Sequence, residues 1–308
     1  MRIATPHPYP PTTYTLPNHT QATRIALLVA STFLLLLTAC GAPRTTSVDG
    51  GRALTLVEQQ LAFGPRIPGT EASAQAVDWI EDALAAQRWE TSVVDTTYRG
   101  VELRNVTGKR GSSAAGPIVI GTHYDTRPSA DRDILAPNEP VPGANDGASG
   151  VAVLLELARV LPADMGDLEV WLAFFDGEDS GNLDGWEWGA GAEAFASSLE
   201  VKPQAVVIVD MVGDCDLRLP RERSSDPALT DEIWGIAGEL GAGAFVDEAG
   251  MAIADDHGPF LARGIPAVLI IDLQYDYWHT TGDTLDKVSA ESLEQVAIVL
   301  EAWILSRR

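Results

Sequence analysis

The chain has 308 residues, 45% of them hydrophobic, and carries 44 acidic against 21 basic residues, for a net charge of −23. This length allows one large domain or two small ones, and the apolar fraction is that of a protein with a folded core. So large an acidic excess argues against nucleic-acid binding and against electrostatic docking on anionic lipid, and mildly favours cationic ligands such as free peptide amines.

The N-terminal segment has the pattern of a secretory signal. The apolar run 25–39 follows Arg24 and has the length of a signal-peptide core, which is too short to cross a bilayer comfortably. The run ends in Leu-Thr-Ala-Cys at Cys40, and this resembles a bacterial lipobox, whose cysteine is lipidated after cleavage. A Sec signal with an incidental cysteine is the alternative.

These features predict three segments of the chain. Residues 1–39 are expected to be a signal peptide with a long leader, residues 40–51 a tether lipidated at Cys40, and residues 52–308 a zinc-dependent catalytic domain. The protein would then be anchored on the extracytoplasmic face of the bacterial cytoplasmic membrane, or secreted. Cys215 is the only other cysteine, so we expect no disulfide within the mature domain.

Apolar periodicity predicts strands that alternate with helices. Helices are expected at 52–63, after a Thr70 cap, and at 148–161, 189–199, 227–240, 256–263 and 289–305. Strands are expected at 92–98, 102–107, 117–121, 168–175, 205–209 and 267–271, several of them apolar throughout. This order predicts a single α/β sandwich with a mostly parallel mixed central sheet and helices on both faces.

Polar residues follow four of these predicted strands. They are His123 and Asp125, then Asp176, Glu178 and Asp179, then Asp210, and finally Asp272 with the more distant His279. Because ligands bind at the carboxyl ends of strands in open α/β sheets, we expect these side chains to share one crevice with Asp146, which precedes a helix. Crowded carboxylates need a compensating cation, and imidazole with carboxylate suits zinc. Ordinary turns or a core histidine explain single members of the set, but not the whole set.

Six motifs carry a resemblance to the co-catalytic zinc aminopeptidases and their glutaminyl cyclase relatives. They are His123-Tyr-Asp, Gly143-Ala-Asn-Asp146-Gly, Phe174-Phe-Asp-Gly-Glu178-Asp179, Asp210-Met-Val-Gly, Asp255-Asp256-His257-x-Pro-Phe and Trp278-His279-Thr-x-x-Asp. The resemblance implies that Asp146, Asp179 and His279 bind one zinc ion. In the aminopeptidases, His123 and Asp210 would hold a second zinc ion, with Asp146 bridging the two. Glu178 matches the catalytic general base, whereas many members of the family have Glu at the position of Asp179.

The cyclase branch is favoured by the aromatic residues. Trp278 precedes the metal-binding histidine as in the cyclases, whereas related aminopeptidases tend to have Tyr there as an oxyanion donor. Trp186 and Trp188 follow Glu178 where cyclases have a pocket tryptophan; core packing is the alternative role of these two. We therefore predict a glutaminyl-peptide cyclotransferase whose pocket is walled by Trp278 and Trp186.

In that enzyme Asp210 and Asp255 would orient the tetrahedral intermediate and tune Glu178. The alternative is a di-zinc aminopeptidase that hydrolyses N-terminal residues, and a less favoured one is a non-catalytic surface lipoprotein that binds ligands. The expected partners are peptides or proteins with a free N-terminus, one or two zinc ions and, through Cys40, the membrane, and we expect a monomer. The resemblance also implies a cis peptide bond between Asp146 and Gly147.

Overall fold

Seven α-helices and eight β-strands make up the part of the protein that the computed structural model describes, residues 46–308 together with residue 13. The helices are α1 Gly50–Leu61, α2 Glu71–Ala86, α3 Ala148–Val160, α4 Ala190–Ser198, α5 Pro227–Leu240, α6 Gly258–Ala262 and α7 Ala290–Ser306. The strands are β1 Glu90–Tyr98, β2 Val101–Gly111, β3 Ile118–His123, β4 Glu169–Phe175, β5 Ala205–Asp210, β6 Leu219–Arg221, β7 Phe245–Ala249 and β8 Ala267–Ile271.

Six strands form the central sheet, in the order β1-β2-β4-β3-β5-β8. β3 pairs in parallel with both β4 and β5, and β5 pairs in parallel with β8, whereas β2 is antiparallel to its neighbours β1 and β4. The predicted α/β sandwich with a mostly parallel mixed sheet is therefore confirmed. β6 and β7 form a separate two-stranded sheet, which the hydropathy pattern did not indicate because both strands are short and neither is continuously buried.

Helices cover both faces of the central sheet. One core packs α1, α2, α3, α5 and α7 on one face, and a smaller core packs α4 and α6 on the other. The N-terminus of α2 is capped by the hydroxyl of Thr70, as predicted, and that of α7 by the hydroxyl of Ser289; each hydroxyl accepts a backbone N–H group of the first turn. Residues 47–308 form one compact unit.

Helix α3 packs very closely on β3, and this fixes the loop that precedes it. Its residues from Ala148 to Ala158 are all buried. A Cβ atom at Gly150 would lie 2.0 Å from Thr122 Oγ1, so only glycine allows this approach of helix to strand. The first residues of α3 are thereby held against the carboxyl end of β3.

The N-terminal predictions concern residues that the structure does not describe. The expected signal peptide and Cys40 lie outside the described residues, and α1 begins at Gly50, inside the predicted tether. Between residues 46 and 308, every helix is too short or too polar to cross a membrane.

Candidate functional site

The carboxyl ends of adjacent strands bring the predicted polar side chains to one edge of the sheet. His123 and Asp210 end β3 and β5, which are neighbours. Glu178 and Asp179 follow β4, on the other side of β3. Asp146 lies in the turn that leads into α3. All of these side chains are buried, so the sheet edge holds a dense polar cluster.

Asp146, Asp179 and His279 form the first of two groups in the described residues that could hold a metal ion. His279 Nε2 lies 3.3 Å from Asp179 Oδ1 and 3.9 Å from Asp146 Oδ2. Both of these oxygens, and Asp179 Oδ2, are buried without a hydrogen-bond partner. Buried carboxylate oxygens that lack donors are costly, and a cation among them would satisfy all three. The donor set of one imidazole and two carboxylates fits zinc.

His123, Asp146 and Asp210 form the second group, which shares Asp146 with the first. His123 Nε2 lies 2.9 Å from Asp210 Oδ1 and 3.2 Å from Asp146 Oδ1. The contact with Asp210 is a hydrogen bond, which the first group lacks between its histidine and its carboxylates. Burial lowers the pKa of His123, but the carboxylates of Asp210, Asp125 and Asp146 outweigh burial and raise that pKa well above its ordinary value.

The charges of the first group are also set by burial. Burial, followed by the charge of Asp146, raises the pKa of Asp179 well above its usual range. Burial lowers the pKa of His279 to about 4, so this imidazole is neutral near pH 7 and keeps a lone pair for a metal. His279 also has a φ of +58°, a conformation that is uncommon outside glycine and that clusters at functional sites.

Glu178 lies beside the two groups without belonging to either. It lines a cavity of about 260 Å³ together with Asp210 and Asp255. Burial and the charge of Asp255 raise the pKa of Glu178 well above its ordinary value. Burial and Asp210 likewise raise the pKa of Asp255 to about 7. A carboxyl group with a raised pKa, placed in a cavity next to candidate metal ligands, has the properties of a proton-transfer group.

Two tryptophans wall the same cavity, and the rings of both lie near the His279 ring. The ring of Trp278 lies 4.1 Å from the His279 ring, and the ring of Trp188 lies 6.1 Å from it in a nearly parallel arrangement. The remaining wall is mostly apolar; the full lining comprises Asp146, Glu178, Asp179, Asn182, Trp188, Asp210, Met211, Met251, Ala252, Ile253, Ala254, Asp255, Ile271, Leu273, Trp278 and His279.

Trp186 does not line this cavity, which corrects the sequence-based prediction. Its ring packs at 5.0 Å against the ring of Tyr98, and it lines a separate small cavity. The reason is a tight turn in which the Asn182 N–H donates to the Trp186 carbonyl, so that the chain points Trp186 back toward the β1–β2 hairpin. Trp188, two residues later, takes the position at the pocket.

The loop that carries Asp146 is held by two buried residues, Asp283 and Arg66; Asp283 ends the motif Trp278-His279-Thr-x-x-Asp, but no role was predicted for either residue. Asp283 accepts the backbone N–H groups of Asn145 and Asp146 at 2.8 and 3.1 Å. The guanidinium of Arg66 donates to the carbonyls of Tyr124, Pro142 and Gly143. Arginine and aspartate are usually found on protein surfaces, so the role of these two residues in holding the loop is evident only from their burial.

The predicted cis bond after Asp146 is wrong, since the described residues contain no cis peptide. Gly147 instead has a φ of +94°, which only glycine adopts without strain. A Cβ atom there would lie 2.7 Å from the Asp125 carbonyl oxygen. The turn into α3 is therefore made by a glycine conformation.

Three further strand-end acids belong to neither ligand group, and only Asp125 among them supports the site. Asp125 accepts the backbone N–H groups of Glu178 and Asp179 at 3.2 and 3.1 Å, which fixes the segment that carries both side chains. Asp176 turns away from the pocket, accepts the N–H of Arg104 and lines another cavity. Asp272 also lies apart, where it accepts the N–H of Arg218.

Arg127 links three parts of the site and was not predicted. Its buried guanidinium forms a two-point contact with Asp131 at 2.7 and 3.1 Å and donates to the carbonyls of Asp179 and Gly181. Asp131 Oδ1 also lies 3.3 Å from His279 Nδ1, on the ring edge opposite the candidate metal position. A partner of this kind fixes the orientation of a metal-binding histidine.

We expect Arg127→Lys to weaken zinc binding by about 10–100-fold, because lysine cannot reproduce the planar two-point contact. The measurement is competition with a chromogenic chelator. Arg110→Lys is a matched control, since Arg110 also donates to backbone carbonyls and packs on a tryptophan, Trp89, far from the site. Equal zinc affinity in the two variants would contradict this role of Arg127.

The sequence matches the model of peptidase family M28 over residues 105–304, which include every candidate ligand described above. Among curated proteins, glutaminyl-peptide cyclotransferase of Bos taurus is 24% identical over 294 residues, which cover 78% of this chain and 77% of the bovine protein.

Solved structures from two bacteria resemble the fold over most of its length. The glutaminyl cyclase of Porphyromonas gingivalis aligns with a TM-score of 0.81 and 30% identity, over 86% of this chain and all of that one. A Zn-dependent exopeptidase from Parabacteroides distasonis aligns with a TM-score of 0.79 and 29% identity, over 84% of this chain and 99% of that one. The similar proteins thus include both cyclases and exopeptidases.

Proposed function

Because the chain belongs to peptidase family M28, we propose that it is a zinc-dependent enzyme acting on peptide N-termini, and specifically a glutaminyl-peptide cyclotransferase. Such an enzyme converts an N-terminal glutamine to pyroglutamate and releases ammonia. The family and the zinc-dependent exopeptidase neighbour support zinc as the metal, with Asp146, Asp179 and His279 as ligands.

The observation that carries the choice of a cyclase is Trp278 at the pocket wall. The hydroxyl of a tyrosine there would donate to an oxyanion, whereas tryptophan offers a large apolar surface and a single N–H. With Trp188, it narrows the cavity to about 260 Å³, below the roughly 300–1,000 Å³ of sites for drug-sized ligands. A short glutamine side chain that folds back on its own amine fits such a space.

The reaction needs one proton to move between two nitrogen atoms of the same substrate residue. Bound zinc would supply Lewis-acid polarisation of the glutamine side-chain carbonyl. The α-amine attacks that carbon, a new C–N bond forms and the bond to the departing nitrogen breaks. Glu178 takes the proton from the attacking amine and delivers it to the departing nitrogen, which leaves as ammonia. Asp210 and Asp255 lie next to Glu178. They orient the intermediate and tune the proton affinity of Glu178.

The alternative is a di-zinc aminopeptidase, and the second ligand group favours it. His123, Asp146 and Asp210 could hold another metal ion beside the first. Two bound metal ions would supply activation of a water molecule, for which Glu178 would be the general base. The exopeptidase from Parabacteroides distasonis shows that this fold also occurs among exopeptidases.

The deciding experiment uses the zinc-loaded protein with two substrates, in which a fluorophore is attached through an amide bond to glutamine (the Gln-led substrate) or to leucine (the Leu-led substrate). The release of ammonia and the release of fluorophore are measured separately. We expect ammonia from the Gln-led substrate and little fluorophore from the Leu-led one. Efficient release of fluorophore from the Leu-led substrate, with no ammonia from the Gln-led one, would identify the protein as an aminopeptidase instead of a cyclase.

We expect Trp278→Phe to raise the KM for Gln-led substrates by up to about tenfold, because the smaller ring loses contact area in the pocket. Trp186→Phe is the matched control, since this tryptophan lies in the same region but lines another cavity. Its kinetics should equal those of the wild type. A larger increase in KM for Trp186→Phe than for Trp278→Phe would support the sequence-based prediction that Trp186 walls the pocket.

We also propose that the protein is lipid-anchored at Cys40 and reaches peptide substrates on the extracytoplasmic side. Cys40→Ser should release it into the soluble fraction and abolish labelling by a fatty-acid probe in a bacterial host. An equally membrane-bound and equally processed variant would contradict the proposal. Catalysis in vitro is independent of this point.

A further inference from the structure

Several exposed apolar side chains lie in segments that line the pocket or contact its wall. Of the six large hydrophobic side chains that are exposed in the described part of the chain, Ile134 and Leu135 are by far the most exposed, at 94% each. Met251, which lines the pocket, and Tyr277, which adjoins Trp278, belong to the same six. Isolated exposed apolar residues are ordinary, but an adjacent pair beside a pocket needs an explanation.

The loop that carries Ile134 and Leu135 is held firmly, so their exposure is imposed by the fold. Asp133 Oδ1 accepts the N–H groups of Leu135 and Ala136 at 2.9 and 3.1 Å. Its Oδ2 accepts the backbone N–H of Thr281 at 3.1 Å and the Thr281 hydroxyl. Two backbone hydrogen bonds close the loop behind them, from Ala130 to Glu139 and from Glu139 to Ala136.

The base of this loop contacts two residues of the pocket wall, His279 and Trp278. The N–H of Arg132 donates to the carbonyl of His279 at 3.3 Å, and its guanidinium lies 4.0 Å from the centre of the Trp278 ring. Ile134 is two residues farther along, and each residue of an extended chain spans about 3.3–3.6 Å. The second to fourth residues of a peptide whose first residue is in the pocket can therefore reach Ile134 and Leu135.

We propose that Ile134 and Leu135 bind apolar side chains at the second to fourth positions of the peptide substrate. This proposal rests on the proposed function, namely that the pocket takes an N-terminal residue. It defines the substrates as peptides with an apolar segment directly after the residue that reacts.

Binding partners other than a peptide fit the exposed pair Ile134 and Leu135 less well. The net charge of −23, with Asp131, Asp133 and Glu139 in the same loop, opposes an anionic bilayer.

A second copy of the chain is also a poor fit. Stable protein interfaces bury about 800 Å² per partner, which is far more than two aliphatic side chains provide. A single extended peptide needs only a few such contacts, because its first residue is already fixed in the pocket.

The test compares Ile134→Ser/Leu135→Ser with Val94→Ser/Val201→Ser in the zinc-loaded protein. The control pair removes two exposed apolar side chains that line a different cavity. The substrates are glutamine amide, Gln-Gly-Gly-Gly and Gln-Leu-Phe-Gly. We expect the first variant to raise the KM for Gln-Leu-Phe-Gly about tenfold, or about 1.4 kcal/mol. Its kinetics with glutamine amide, and those of the control with every substrate, should match the wild type.

The outcomes separate this proposal from the proposed function. A wild type that forms no pyroglutamyl amide from glutamine amide refutes the cyclase, and versions of the same peptides with an N-terminal leucine then test Ile134 and Leu135 independently. An unchanged KM for Gln-Leu-Phe-Gly, or an equal loss with glutamine amide, overturns the proposal.

Two physical measurements test whether Ile134 and Leu135 contact a lipid bilayer or a second copy of the chain instead of a peptide. Loss of binding to vesicles of phosphatidylethanolamine and phosphatidylglycerol, with an unchanged KM, would make the loop a lipid contact. A shift from dimer to monomer in analytical ultracentrifugation, with an unchanged KM, would make it a subunit contact. Either result overturns the proposal.

Discussion

Glu178→Gln is expected to lower kcat for Gln-led substrates by about 10³-fold, the middle of the range for loss of a general acid–base group. The amide has the same shape but cannot accept the proton from the attacking amine. Glu178 belongs to neither group of candidate ligands, so zinc content should stay at the wild-type value. Steady-state ammonia release and metal analysis of the same preparation measure both quantities.

Asp176→Asn is a suitable control for this substitution. Asp176 is buried two residues from Glu178, but it accepts a backbone N–H outside the pocket. Burial raises its pKa to about 8, so it is largely protonated at neutral pH and asparagine is a close replacement. Activity of Asp176→Asn should remain close to the wild type. If Glu178→Gln retained activity as well, the proton would have to move through another group.

His279→Ala should remove the zinc ion, whereas His123→Ala should leave it bound. His279 faces three buried carboxylate oxygens that have no hydrogen-bond donor. His123 Nε2, in contrast, already lies within hydrogen-bonding distance of Asp210 Oδ1. A metal at His123 would have to replace this hydrogen bond, while a metal at His279 replaces no hydrogen bond to the carboxylate oxygens.

Metal analysis after dialysis against a weak chelator measures this difference. Structural zinc sites are worth about 10–16 kcal/mol in small peptides, so loss of one ligand from the occupied site gives a large effect. We expect one zinc ion per chain in the wild type and in His123→Ala, and close to none in His279→Ala. Two ions in the wild type, with one lost in each variant, would favour the aminopeptidase alternative. Full zinc occupancy in His279→Ala would refute the ligand assignment.

The sequence alone was sufficient for the fold class and for the position of the site along the chain. Buried parallel strands such as β3 and β5 are continuously apolar, which identifies them without knowledge of their neighbours. The residues that follow such strands must meet at one sheet edge, so the grouping of His123, Glu178 and Asp210 was predictable from chain order and strand direction. The motif resemblance also led to the family, which the match over residues 105–304 establishes.

Only the tertiary structure decided which residues face the pocket and which support it. Trp186 and Trp188 are equivalent in sequence, and a single backbone turn separates their positions. Arg66, Arg127 and Asp283 are of types usually found on surfaces, and their roles depend on burial against distant backbone groups. Hydrogen bonds between residues far apart in the chain leave no local periodicity in the sequence, so this supporting layer is evident only once the chain is folded.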